Sequence, residues 1–128
     1  CERLDTQSPF SLLLVGDATL MPRLHMGVNR PLLGRLGFCL CLEPWTREEA
    51  TEYVQRRLVE VGLHENVFDP EAQELLLRIA GGIPRTINHL GQRAFEEAAR
   101  ERSRAIRREH IQKALDQLPW LGRLREEE

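Results

Sequence analysis

The sequence predicts a mostly α-helical chain in two parts. Residues 1–45 read as a partial α/β core, two parallel strands joined by a crossover helix, and residues 46–128 as a bundle of four helices. Three observations predict this. Two continuous apolar runs, SLLLVGD from Ser11 and GFCLCLEPW from Gly37, are bounded by glycine or proline and are too short for helices, the pattern of strands buried on both faces. From Thr46 onward, apolar residues recur at three- and four-residue steps, the period of a helix with one buried face. Capping residues, prolines and glycines then mark where each helix starts and stops.

In chain order, Asp5, Ser8 and Pro9 form a turn that leads into the first apolar run. Gly16 bounds that run and puts Asp17 at its C-terminal end, where ligands bind in open α/β sheets. From Ala18 to Gly34 the pattern is a helix broken at Pro22, Gly27 and Pro31, with Arg23 and Arg30 on it and Arg35 just after it. The second run stops at Pro44. Its Cys39 and Cys41 lie at strand spacing and read as buried free thiols; with Cys1 the cysteines are odd in number, which fits a reducing, cytoplasmic setting. Two strands do not make a stable sheet, so the remaining strands are expected to be missing or supplied by another chain. The absence of an initiator methionine adds to the expectation of a fragment.

The helices follow in turn. Thr46 and Glu49 form a capping box, and Ala50, Tyr53, Val54, Leu58 and Val61 line one face until Gly62. Asp69 caps the second helix with Pro70 at its first position, and Leu75, Leu76 and Ile79 face inward. The third runs from about Pro84 to Arg102 on a stripe of Ile87, Leu90, Ala94 and Ala98. The fourth, about Arg107 to Leu118, buries Ile111, Ala114, Leu115 and Leu118, and the charged tail after it has no pattern and should fray.

Composition removes several functions. The 128 residues are 30% charged with a net charge of −2, which does not favour nonspecific attraction to nucleic acid or anionic lipid. No apolar run approaches the roughly 20 residues that span a bilayer. The histidines at 25, 64, 89 and 110 lack metal-ligand spacing, and no serine sits in a nucleophile elbow. RAFEEAARERSRAIRREH interleaves acids with its arginines and reads as a solvated helix face rather than a nucleic-acid surface. Lys113 is the one lysine among 18 basic residues, and it lies inside the fourth helix. A phosphate-binding loop needs a glycine-rich turn and a lysine that reaches the β and γ phosphates, so the chain cannot hydrolyse ATP unaided.

The segment GGIPRTINHL, residues 81–90, holds the chemistry. Gly81 and Gly82 suit a left-handed helix end, and Pro84 opens the next helix. Arg85 then sits in a first turn whose dipole favours anions. Either it is an ordinary surface arginine after a helix turn, or an anionic ligand explains it.

G-G-I-P-R resembles the sensor 2 motif of AAA+ ATPases, and SLLLVGDATL, RPLLGRL, LEPWTREEATEYVQRRLVEVGL and IAGGIPRTINHL together resemble the bacterial general secretion pathway protein A group, with related transposition helper ATPases sharing the arrangement. The resemblance runs from about Ser11 to Leu118 and is most specific at GGIPR with the following Asn88. It implies that residues 1–45 finish a nucleotide-binding core and 46–128 form a helical lid. It implies further that Arg85, with Pro84 and Gly82, faces the nucleotide, and that Arg35 is the arginine finger given in trans, with Arg30 in reserve. Asp17 falls near sensor 1, where the family more often has a neutral polar residue. ATP and Mg²⁺ would be cofactors of the full-length protein, a ring-forming homo-oligomer acting on a protein client or DNA in secretion-apparatus assembly. The alternatives are a DNA transposition or replication helper ATPase and a helical adaptor that uses no nucleotide.

Overall fold

The computed structural model describes residues 11–63 and 65–122. The readings at Cys1, Asp5, Ser8, Pro9 and His64, and of the tail beyond 122, lie outside these residues. The chain divides into two compact units, Cys1–Cys41 and Leu42–Glu128.

In the first unit, Ser11 to Asp17 has no regular structure. The Asp17 carboxylate accepts from the Thr19 backbone N–H at 2.8 Å and from its hydroxyl at 2.6 Å, a local turn that starts α1, Leu20–His25. Met26 leaves the helical region, a 3₁₀ turn follows at Gly27–Asn29, and α2 spans Arg30–Leu33. The expected break in this helix is therefore present. Leu24 is the one buried side chain among the described residues of this unit.

The two parallel strands are not formed. Among the described residues there is no strand and no sheet, and both apolar runs stand open: Leu13 is 79% exposed and Leu42 87%. Cys39 and Cys41, expected inside, are exposed. The physical reason is that a strand is not a local structure. Its hydrogen bonds come from a neighbour, and a parallel neighbour must be brought alongside by a long crossover. Two runs this short do not make a sheet that is stable alone.

The second unit is helical, as the sequence predicts for most of the chain. α3 spans Arg47–Glu60, α4 Pro70–Ala80, α5 Pro84–Arg100, α6 Arg108–Asp116 and a short α7 Pro119–Gly122. The Thr46 capping box is complete: Glu49 N–H donates to the Thr46 hydroxyl at 3.2 Å, and Thr46 N–H donates to the Glu49 carboxylate at 2.8 Å. α4 begins at Asp69–Pro70 without a side-chain cap bond. α5 and α6 pack most extensively, and α4 packs on both. The core holds the expected Leu76, Leu90, Ala94, Ile111 and Ala114, and adds Leu77, Ala72 and Ile106. Val61, read as the last inward residue of the first bundle helix, is 64% exposed because α3 ends before it. Phe68 and Ile106 form an isolated parallel bridge that ties the 3₁₀ turn before α4 to the α5–α6 turn. No helix among the described residues is long and apolar enough to cross a membrane.

Candidate functional site

The site is built at the α4–α5 turn. Gly81 (φ 55°) and Gly82 (φ 73°) both take the left-handed conformation, which costs a glycine nothing and other residues much. Gly82 has a second constraint. Its carbonyl accepts the Trp45 backbone N–H at 2.9 Å, and a Cβ at this position would lie 2.2 Å from the Trp45 carbonyl oxygen. The segment entering α3 therefore lies directly on the turn.

That segment also grips the first turns of α5. The Trp45 and Tyr53 rings are 4.8 Å apart at 53°, an aromatic contact in the favourable tilted range. The Tyr53 hydroxyl donates to Asn88 Oδ1 at 2.9 Å. Trp45 to Gly82 and Tyr53 to Asn88 thus clamp both sides of the residues that present Arg85. Sequence reasoning placed Tyr53 on a buried stripe and gave Trp45 no role. The available signal was a tryptophan immediately before a capping box, but its partner lies 37 residues away and no local pattern names it.

Pro84 occupies the first turn of α5, Thr86 and Ile87 point inward, and Arg85 is exposed. Among the described residues Arg85 makes no ion pair and no side-chain hydrogen bond. The first turn of α5 holds no acid, and Ile83 at the N-cap offers no side-chain acceptor. The start of a 17-residue helix thus combines unpaired amides, the positive end of the dipole and an unneutralised guanidinium. An anion is the partner this arrangement suits.

The other site candidates belong to the first unit. Asp17 is held by Thr19, whose hydroxyl and amide bonds keep the carboxyl below its ordinary range, so it is a fixed acceptor. Arg35 lies exposed in the turn after α2, its N–H donating to Leu32 O at 3.0 Å. Arg30, exposed, opens α2. Gly82, Pro84 and Arg85 share one turn in the second unit. Lys113, the one lysine, is paired with Glu101, and among the described residues no group of His, Cys, Asp or Glu could hold a metal ion.

The chain is 32% identical over 91 residues to General secretion pathway protein A of Aeromonas hydrophila, an alignment that covers 71% of this chain and 17% of that protein. No family model matches the chain, and no solved structure matches it. The chain is thus similar to one part of a much longer secretion-pathway protein.

Proposed function

We propose that the helical unit is the lid of an ATP-driven switch of the AAA+ kind, acting in assembly of a secretion apparatus, and that Arg85 is the lid's contact to the nucleotide phosphates. The observation that carries this is Arg85 itself, an exposed guanidinium without a partner among the described residues, presented by a clamped glycine turn at an acid-free helix start. The similarity to a general secretion pathway protein supports the pathway. The nucleotide cradle and its Mg²⁺ site lie outside this chain in the proposal, which gives the switch its logic. A lid that touches phosphate only when closed converts loss of that phosphate into motion. Arg35 is the finger offered to a neighbouring subunit of a homo-oligomer, a contribution worth roughly 10³ to 10⁵ in rate. Asp17 would stand near the γ phosphate by resemblance alone. A cytoplasmic location belongs to the same proposal.

The test starts from the native reading frame, which should encode a P-loop and a following acid pair upstream of this stretch. In the protein that joins them, Arg85→Ala should lower ATP binding or turnover roughly tenfold or more, the loss of a charge-assisted bond of about 1.5–3 kcal/mol. Stability should stay within about 0.5 kcal/mol. A native frame without a P-loop overturns the proposal and leaves a helical adaptor; unchanged ATP binding and turnover in Arg85→Ala overturns the assignment of Arg85 as the phosphate contact.

A further inference from the structure

The α5–α6 turn carries Arg102, Arg104 and Arg107, Arg108 opens α6, and no acid lies between these four. All four are exposed, and none makes an ion pair among the described residues. The acids that alternate with arginine in the sequence just before this turn are used elsewhere. Glu96 is bound by Arg93 at 2.7 Å, Glu97 by Arg100 and by Gln117, and Glu101 by Lys113 and by His110 at 3.0 Å. Glu109, in the first turn of α6, is the nearest acid left over. The expectation of a mutually neutralised helix face therefore fails here. Arg102, Arg104 and Arg107 precede α6 and Arg108 is its first residue, and the acids before them are engaged by Arg93, Arg100, Lys113 and His110.

The turn is also held rigidly. Arg102 N–H donates to Ala99 O at 3.0 Å and Ser103 N–H to Ala98 O at 2.9 Å, the paired bonds that end a helix at a left-handed residue. Ile106 is 1% exposed; its N–H donates to Val67 O at 2.7 Å and its carbonyl accepts Asp69 N–H at 2.9 Å. Two arginines stand on either side of this anchor. The left-handed position itself is taken by Arg102 (φ 53°), where glycine would be free of the steric cost. A long cation is kept at a place that local stability assigns to glycine.

We propose that this turn docks the phosphodiester backbone of a nucleic-acid duplex, without reading its sequence. The exposed part of the turn offers no aromatic or large apolar side chain. A peptide partner, which binds chiefly through buried anchors, would find none, and a lipid surface would find no apolar insert. A polyphosphate needs no pocket, because its affinity comes from release of condensed counterions as each phosphate is neutralised. Rigid presentation lowers the ordering cost of binding.

The experiment is fluorescence anisotropy of the 128-residue chain with labelled 20-base-pair DNA duplexes of two unrelated sequences, across a salt series and without nucleotide. The two duplexes should bind alike. The logarithm of affinity should fall against the logarithm of salt with a slope of about −3 to −4, roughly −0.9 for each phosphate neutralised. Replacing all four arginines with glutamine should weaken binding at low salt at least tenfold, and replacing them with lysine should restore most of it. Arg102→Gly alone should raise the melting temperature while weakening binding. A flat salt response, an unchanged glutamine variant, or a polyglutamate peptide bound as tightly as the duplex would overturn the proposal, the last by moving the site to an acidic protein partner. Because no nucleotide enters, the outcome is independent of whether Arg85 contacts phosphate in an ATPase.

Discussion

The two units of this chain are both rich in apolar residues, yet only one builds a core from them. In the second unit Leu90, Ala94 and Ile111 are fully buried; in the first, Leu40 is 71% exposed and Leu24 stands alone as a buried side chain among the described residues. Apolar content does not explain the difference. The second unit's residues lie on helices whose backbone bonds are internal, so each helix needs its neighbours only for side-chain burial. The first unit's runs would need neighbours for backbone bonds as well, and without them neither pairing nor burial follows. A helical stretch can carry its fold with it, while a strand depends on what lies beside it.

Several substitutions break or sharpen that contrast. The largest effect is expected at Leu90→Ala, which should cost about 2–5 kcal/mol as a cavity in a packed core. Leu40→Ala, equal in chemistry but exposed, should stay within about 0.5 kcal/mol. Denaturant unfolding followed by helical circular dichroism measures both, and equal losses would show that the first unit is packed after all.

Next come two glycines with the same left-handed φ of 73°, Gly62 and Gly82. Gly62→Ala meets open space and should cost only the backbone term, about 1–2 kcal/mol. Gly82→Ala should cost clearly more, because its methyl meets the Trp45 carbonyl. Thermal melts of the pair isolate the close approach of Trp45, and equal shifts would mean that the clamp yields freely.

Thr46→Ala should cost about 1 kcal/mol by opening the capping box. Hydrogen exchange should show the loss concentrated in the first turn of α3, with no change at residues 20–33.

The smallest effect is at acid pH. Hydrogen bonds from Lys113 and then His110 hold the Glu101 carboxyl below its ordinary range. A lowered carboxyl stabilises the fold above its unfolded-state value, and that stability is lost as pH falls through the lowered one. Glu101→Gln should flatten this acid-side loss in melts between pH 6 and about pH 3. Asp17 titrates in the same direction, but Asp17→Asn should change only local signals at the start of α1. A global shift from Asp17→Asn would mean that the first unit contributes to cooperative unfolding.

What the sequence determined by itself is what nearby residues decide together. The capping box at Thr46, the proline starts at Pro70 and Pro84, the left-handed glycines at 81 and 82 and the buried stripe of α5 all depend on partners within about four residues, and all are legible in the chain. So was the odd placement of Arg85, because a helix dipole is a local field. Tertiary structure alone decided the rest. It left the apolar runs at 11–16 and 37–42 without strand partners, brought Trp45 onto Gly82 and Tyr53 onto Asn88, and paired Glu97 with Arg100 and Gln117 and Glu101 with Lys113 and His110, so that the arginines at 102, 104, 107 and 108 make no ion pair among the described residues. Each of those outcomes depends on which distant groups arrive, and a periodic pattern carries information about a residue's face but none about what will meet it.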